Sequence, residues 1–279
     1  MTQAKVFKFD FVFLFMGKII GVVSLKGGVG KTSTVVELGM AIASFGKKVL
    51  LVDGNLSSPN LGLRFGIVEP EKTLHHVLQR TAHIKDVVHT LNENVDIIPS
   101  SLFFRGEINP LKLKEHLRLL RRSYDYVLID SSPTLDSETL AVMLASDNIL
   151  VVTTPDHVTL GTTIKAVKKA RQRGAPIGGI VLNKVHDKNF ELSLHEIEDV
   201  LDIPVMAVIR HNVNMLRSVA DFTSLVNTKP NCNESHEFKK LAGTLIGEKY
   251  KAKRLKNLFH FTPKREEINR EIYYENVFG

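Results

Sequence analysis

Apolar residues along this chain gather in short continuous runs rather than in strict alternation. Ile19-Ile20-Gly21-Val22-Val23-Ser24, Val49-Leu50-Leu51-Val52, Tyr126-Val127-Leu128-Ile129, Ile149-Leu150-Val151-Val152, Ile177 to Asn183 and Val205 to Ile209 each read as a strand buried on both faces. Val95-Asp96-Ile97-Ile98 reads as a shorter one. Segments of helical character lie between them, among them Thr34 to Ala43, Leu74 to Leu78 and Leu111 to Arg121. Strand and helix in turn predict an α/β fold, with a mostly parallel twisted sheet covered by helices on both faces. Neither an internal repeat nor a low-complexity linker interrupts residues 17–249, which are expected to form one domain. Residues 1–16 stand ahead of it as an extension. Their Phe7, Phe9, Phe11, Phe13 and Phe15 alternate in a strand-like way that could add an edge strand. That stretch lacks the small-residue cleavage site of a signal peptide and the length of a membrane span.

The first strand runs directly into Lys26-Gly27-Gly28-Val29-Gly30-Lys31-Thr32, and a helical pattern follows at once. A strand, a glycine loop ending in Gly-Lys-Thr, then a helix is the context of a phosphate-binding loop. Glycines let successive backbone N–H groups turn around anionic oxygens, and the helix N-terminus adds partial positive charge. Lys31 then neutralises the outer phosphates, Thr32 offers a hydroxyl to Mg²⁺, and Ser33 completes the nucleotide-binding stretch. Two strands end in acids, Asp53 and Asp130. Ligands of parallel sheets sit beyond the strand C-termini, so both acids and the loop are expected to converge there. Asp130, in Ile129-Asp130-Ser131-Ser132-Pro133, stands where a carboxylate holds Mg²⁺. The fold class is thus an α/β P-loop NTPase, with a nucleoside triphosphate and Mg²⁺ as cofactors and Thr32, Asp53 and Asp130 as the metal set.

The loop departs from the general motif, because Leu25 stands where its first glycine belongs and Lys26 follows. This resembles the deviant Walker A loop of the MinD/ParA family of ATPases. The resemblance implies an ATP-dependent homodimer in which Lys26 reaches across to the partner's phosphates, where composition alone would leave it a solvated lysine. It implies a Mg²⁺-dependent ATP hydrolase with Lys26, Lys31 and Asn55 in the catalytic set. Asp53 resembles the first acid of the family's Asp-x-Asp switch, and Asn55 replaces the second, so hydrolysis is expected to be slow. Asn183, at the end of Ile180-Val181-Leu182-Asn183, falls where the family contacts adenine; a turn asparagine is the plainer alternative. Thr154-Pro155-Asp156 resembles a step that faces the partner subunit, or is simply a turn. Arg210-His211-Asn212 replaces the family's Pro-acid pattern. Met16-Gly17-Lys18-Ile19-Ile20 is similar to the start of many such proteins, which makes residues 1–15 an upstream extension.

Composition narrows the partners without choosing one. Lys and Arg total 37 against 30 acids, a formal charge of +7, which suits a phosphate, membrane or nucleic-acid surface. The single Cys232 excludes an intramolecular disulfide framework and the cysteine sets of iron–sulfur proteins. His75, His76, His83 and His89 lack metal-ligand spacing and are expected on solvated faces. Residues 250–279 form a basic tail in which Leu255, Leu258 and Phe259 share one face among Lys251, Lys253, Arg254 and Lys256. Such a segment binds a membrane surface or packs on its own domain; Pro263 breaks it, and Lys264 to Gly279 continues as a second short helical pattern. Residues 250–261 resemble the family's membrane-targeting helix. That resemblance implies a cytoplasmic protein, peripheral on the inner face of the cell membrane in its ATP state, with an activating protein partner. The leading expectation is a MinD-like spatial regulator of cell division or positioning. A ParA-like segregation ATPase on non-specific DNA and an ATP-coupled synthetase are the alternatives.

Overall fold

The computed structural model describes residues 17–251 and 263–279. Its strands are β1 (Lys18–Val23), β2 (Val49–Asp53), β3 (His89–Asn92), β4 (Val95–Ile98), β5 (Tyr126–Asp130), β6 (Asn148–Thr153), β7 (Ile177–Val185) and β8 (Val205–Arg210). They form one sheet in the order β3-β4-β2-β5-β1-β6-β7-β8. All neighbours run parallel except β3 against β4. The continuous apolar runs are explained by this arrangement: β2 and β5 are buried at every position. Alternate residues feed two cores. Ile19, Val23, Leu50 and Val52 join one face, whereas Ile20, Val22, Val49 and Leu51 join the other.

Helices cover both faces. On one lie α2 (Leu74–Leu78), α3 (Leu113–Arg118), α4 (Ser137–Ala145), α5 (His157–Gln172) and α6 (Leu194–Leu201), through residues such as Leu74, Leu117, Val142, Val167 and Ile197. The other is closed by α1 (Lys31–Ala43) and α9 (Asn233–Ile246), through Val35, Leu38, Phe238 and Leu241. Short helices α7 (Val213–Ala220) and α8 (Leu225–Thr228) connect β8 to α9. Local chemistry sets the helix ends. Asp136 caps α4 by accepting from Glu138 N and Thr139 N at 3.0 Å each, and Asp156 caps α5 by accepting from Thr159 N at 2.9 Å.

Two segments differ from the sequence expectation. The helix expected over 111–121 opens as a 3₁₀ turn, Pro110–Lys112, and is α-helical only over α3, because Pro110 starts the segment in a tight turn. Strand β3 went unforeseen, since His89-Thr90-Leu91-Asn92 is largely polar. The end of the tail forms α10 (Arg265–Phe278), which packs on the edge strand β8 and on α9. There Asn269 Nδ2 donates to Val205 O and Arg270 Nη1 to Met206 O, both at 2.8 Å, while Val205 N donates to Glu198 Oε1 at 2.8 Å. Backbone groups of an open sheet edge thereby find side-chain partners. The edge strand expected in residues 1–16 and most of the amphipathic stretch 250–261 lie outside the described residues. Among the described residues no helix is long and apolar enough to cross a membrane.

Candidate nucleotide-binding site

The glycine loop leaves β1 and turns into α1 through two left-handed glycines, Gly28 at φ +78° and Gly30 at φ +98°. Both angles disfavour L side chains. At Gly30 the approach is also close, since a Cβ would lie 2.2 Å from Asn183 Nδ2. Asn183 Nδ2 donates to Val29 O at 2.8 Å and Lys184 Nζ to Gly28 O at 2.6 Å, so the end of β7 braces the loop. On the other side, a Cβ at Gly27 or Gly28 would meet nothing within 4 Å. The loop is backed by protein and open toward the strand C-termini, as a phosphate cradle requires. Ser33 lies half-buried on the first turn of α1, next to Thr32.

Asp53 and Asp130 sit side by side as register partners of β2 and β5, both fully buried. Asp130 Oδ2 accepts the Thr32 hydroxyl at 2.5 Å, and its Oδ1 is buried with no hydrogen-bond partner. Burial pushes the Asp130 carboxyl up to about 6, against the pull of Thr32, Lys31 and the Ser131 N–H. Burial, then the charge of Asp130, pushes Asp53 up to about 8. Its oxygens accept from Asn55 N at 3.3 Å, Asn60 N at 3.1 Å and Leu61 N at 2.9 Å. Asp53 thus staples the following loop at both ends. Lys31 is buried, and burial holds its ammonium below the ordinary value while Asp130 raises it. An orphaned carboxylate oxygen beside a hydroxyl and two crowded acids fits a divalent cation. Among the described residues no group of three or more His, Cys, Asp or Glu could hold a metal by itself. That is the donor set Mg²⁺ accepts when phosphates and water supply the rest.

Lys26 is half-buried and engaged within its own chain. Its Nζ donates to Thr159 Oγ1 at 2.6 Å and pairs with Asp156 Oδ1 at 3.5 Å. Burial raises the Asp156 carboxyl, but the Thr154 and Thr159 hydroxyls, the Thr159 N–H and Lys26 outweigh it and hold it down at about 2. The Thr154-Pro155-Asp156 step is therefore more than a turn. It caps α5 and holds the loop's early lysine. Asn55 is buried in the loop after β2, with Nδ2 donating to Ser58 O at 2.5 Å and Oδ1 buried without a partner. Beyond Asn183, His186 and His211 stack with ring centres 4.8 Å apart, and Arg210 pairs with Asp187.

His75 corrects a sequence expectation. Rather than facing solvent it is 4% exposed, with Nδ1 accepting from Ser101 N at 3.1 Å and Nε2 facing Leu56 O at 3.2 Å. His75 sits against the loop that follows β2, which no local spacing reveals. Glu138 was also missed. It resembles any acid in a first helical turn, and its partners lie about eighty residues earlier. A third omission is the buried pair of Glu37 on α1 with Arg64, 3.7 Å apart. Glu37 accepts from Leu225 N and Val226 N at 2.9 Å each, joining the loop helix to α8.

A glycine cradle at a helix N-terminus, with Lys31, Thr32 and Asp130 gathered beyond a parallel sheet, defines a P-loop NTPase. A family profile described as an AAA domain matches residues 17–175. An ATP-binding protein of Methanocaldococcus jannaschii is 31% identical over 251 residues, covering 89% of this chain and 95% of its own. The sporulation initiation inhibitor protein Soj of Bacillus subtilis is 33% identical over 204 residues, covering 66% of this chain and 79% of its own. Among solved structures, the cell division ATPase MinD of Pyrococcus furiosus superposes with a TM-score of 0.77 at 33% identity, covering 81% of this chain and 97% of that one. The septum site-determining protein MinD of Pyrococcus horikoshii, complexed with Mg-ADP, gives 0.78 at 33% identity, over 82% and 96%. The chain belongs to the MinD/ParA family of P-loop ATPases.

Proposed function

We propose that this ATPase is a Mg²⁺-dependent switch that dimerises on ATP and hydrolyses it slowly, attaching in its ATP state to an anionic membrane as a spatial regulator. The observation that supports it most is the orphaned Oδ1 of Asp130, buried beside the Thr32 hydroxyl at the end of the glycine cradle. In this reading Lys31 and the amides of residues 27–33 hold the phosphates, while Thr32 and Asp130 hold Mg²⁺. The metal neutralises phosphate charge when bound. Behind it Asp53 fixes the loop through Asn55 N, Asn60 N and Leu61 N. Asn183 has its NH₂ committed to Val29, which leaves Oδ1 for an adenine amino group.

Lys26 acts in two settings. In a lone chain Asp156 and Thr159 hold it; in a dimer it exchanges them for the partner's phosphates. Asn55 orients water through Oδ1 and accepts no proton at neutral pH, hence the slow rate. Light scattering tests the switch. Mass should double with ATP or a non-hydrolysable analogue but not with ADP. Lys31→Ala should lose tight nucleotide binding, and Lys26→Ala should bind as a monomer without dimerising. A mass that ignores the nucleotide rejects the switch.

A further inference from the structure

Loop 54–61 carries Asn55, and its next two residues are gripped from outside the loop. Leu56 N and Ser57 N donate to Glu138 Oε2 at 2.9 and 3.2 Å, and the Ser57 hydroxyl donates to Glu138 Oε1. From the other side His75 Nε2 meets Leu56 O at 3.2 Å. Ser101 N donates to His75 Nδ1 at 3.1 Å, so the proton resides on Nε2 and the imidazole donates to Leu56 O. Both gripping groups are buried, Glu138 at 8% exposure and His75 at 4%. Glu138 is the second residue of α4, whose free N–H groups are already capped by Asp136. A carboxylate favoured only by the helix dipole would point into solvent; this one takes three donors from another segment.

We propose that Glu138 and His75 are positioning residues for hydrolysis: they clamp Leu56-Ser57 so that the Asn55 amide is held in one orientation. The inference rests on the ATPase reading above. Its physical basis is the state of Asn55 itself. Because Nδ2 is bound to Ser58 O, the acceptor Oδ1 is left buried and unpartnered. Such an atom can orient a water only if the backbone beneath it is fixed, and a displacement of about 1 Å can lower a rate about a hundredfold. An amide, which cannot compensate by accepting the proton, depends on position more than a carboxylate would. Asp53 holds the loop through Asn60 N and Leu61 N and more weakly through Asn55 N, and the clamp grips the two residues that follow Asn55.

Single-turnover hydrolysis by the full chain, together with equilibrium binding of a fluorescent ATP analogue, tests the clamp. Glu138→Ala is expected to lower the hydrolysis rate constant about ten- to a hundredfold, with nucleotide Kd within about twofold of wild type. Glu138→Gln should keep most of the rate. Its carbonyl oxygen can take both N–H groups while its NH₂ donates to the Ser57 hydroxyl. Wild-type hydrolysis in Glu138→Ala overturns the clamp. So does an equal loss in the Gln and Ala variants, which would make the charge and not the geometry responsible. If Glu138→Ala does not fold, Ser57→Ala at an exposed position removes one bond of the clamp and must slow hydrolysis in the same sense; an unchanged rate overturns the inference. A wild-type chain that binds no ATP analogue, or hydrolyses none, defeats the ATPase reading instead, before any variant is compared.

Discussion

An amide at position 55 can aim a water but cannot remove its proton. A positioned general base contributes roughly 10²–10⁴-fold. Restoring the acid by Asn55→Asp should therefore raise turnover, by less than that full factor because the amide already orients. A single-turnover rate for wild type equal to or above that of Asn55→Asp would show that residue 55 does not limit the reaction. His75 sets a second residue-scale expectation. Burial, opposed by its bond to Leu56 O, lowers its pKa from 6.5 to about 4, so the fold holds it neutral. The unfolded chain binds the proton first on acidification. The stabilisation by neutral His75 is thus complete above about pH 6.5 and is lost as pH falls toward about 4, by about 1–3 kcal/mol. His75→Gln should flatten this dependence in thermal melts between pH 7 and 4.5; parallel curves would mean that His75 does not carry it. The two residues also show what a sequence discloses of a site. Lys26 to Thr32 are contiguous, and Asp130 ends an apolar run, so adjacency alone reveals them. His75 and Glu138 act on partners about twenty and eighty residues away. Nothing local marks them.

Elements carry the same distinction between local and distant causes. Parallel strands buried on both faces were readable as apolar runs because burial itself writes the pattern. Strand β3 escaped because an edge strand with one partner can stay polar, whereas the helical pattern of α10 was legible but the place where it docks was not, because that depends on charged residues of α6 and α9. Its attachment centres on Glu198, 1% exposed, which accepts from Val205 N, Asn269 Nδ2 and Arg265 Nε at 2.8, 2.5 and 2.9 Å. Removing that carboxylate strands three donors at a sheet edge. Glu198→Ala should lower unfolding stability by about 2–4 kcal/mol in urea titration. A loss of about 0.5 kcal/mol or less is what a surface substitution gives, and would mean that α10 only rests on the edge. Because α10 buries Asn269, Arg270 and Tyr273, the end of the chain works as part of the domain, not as a free tail.

For the whole molecule, the proposed function has the ATP state meet an anionic surface, and a bilayer and DNA differ in what they ask of the chain beyond α9. Tyr250 packs against Phe45 with its hydroxyl 2.8 Å from His236 Nδ1, and Arg265 pairs with Glu198. Burying one Leu or Phe side chain gives roughly 1.5–3 kcal/mol at most, and each Lys or Arg near an anionic surface about 1 kcal/mol. Burial at an interface is partial, so one chain should bind only marginally. Two chains joined by ATP gain about 10²–10⁴-fold through avidity, which makes attachment depend on nucleotide. Anionic vesicles should therefore pellet the protein with ATP and not with ADP, and Leu258→Glu combined with Phe259→Glu should abolish pelleting. The formal charge of +7 would serve DNA equally well, but by a different signature. Binding through phosphate contacts falls steeply with salt and ignores apolar side chains. ATP-dependent retention on DNA that vanishes at high salt and survives the double substitution would move the assignment to a ParA-like role, because only insertion into a bilayer needs Leu258 and Phe259.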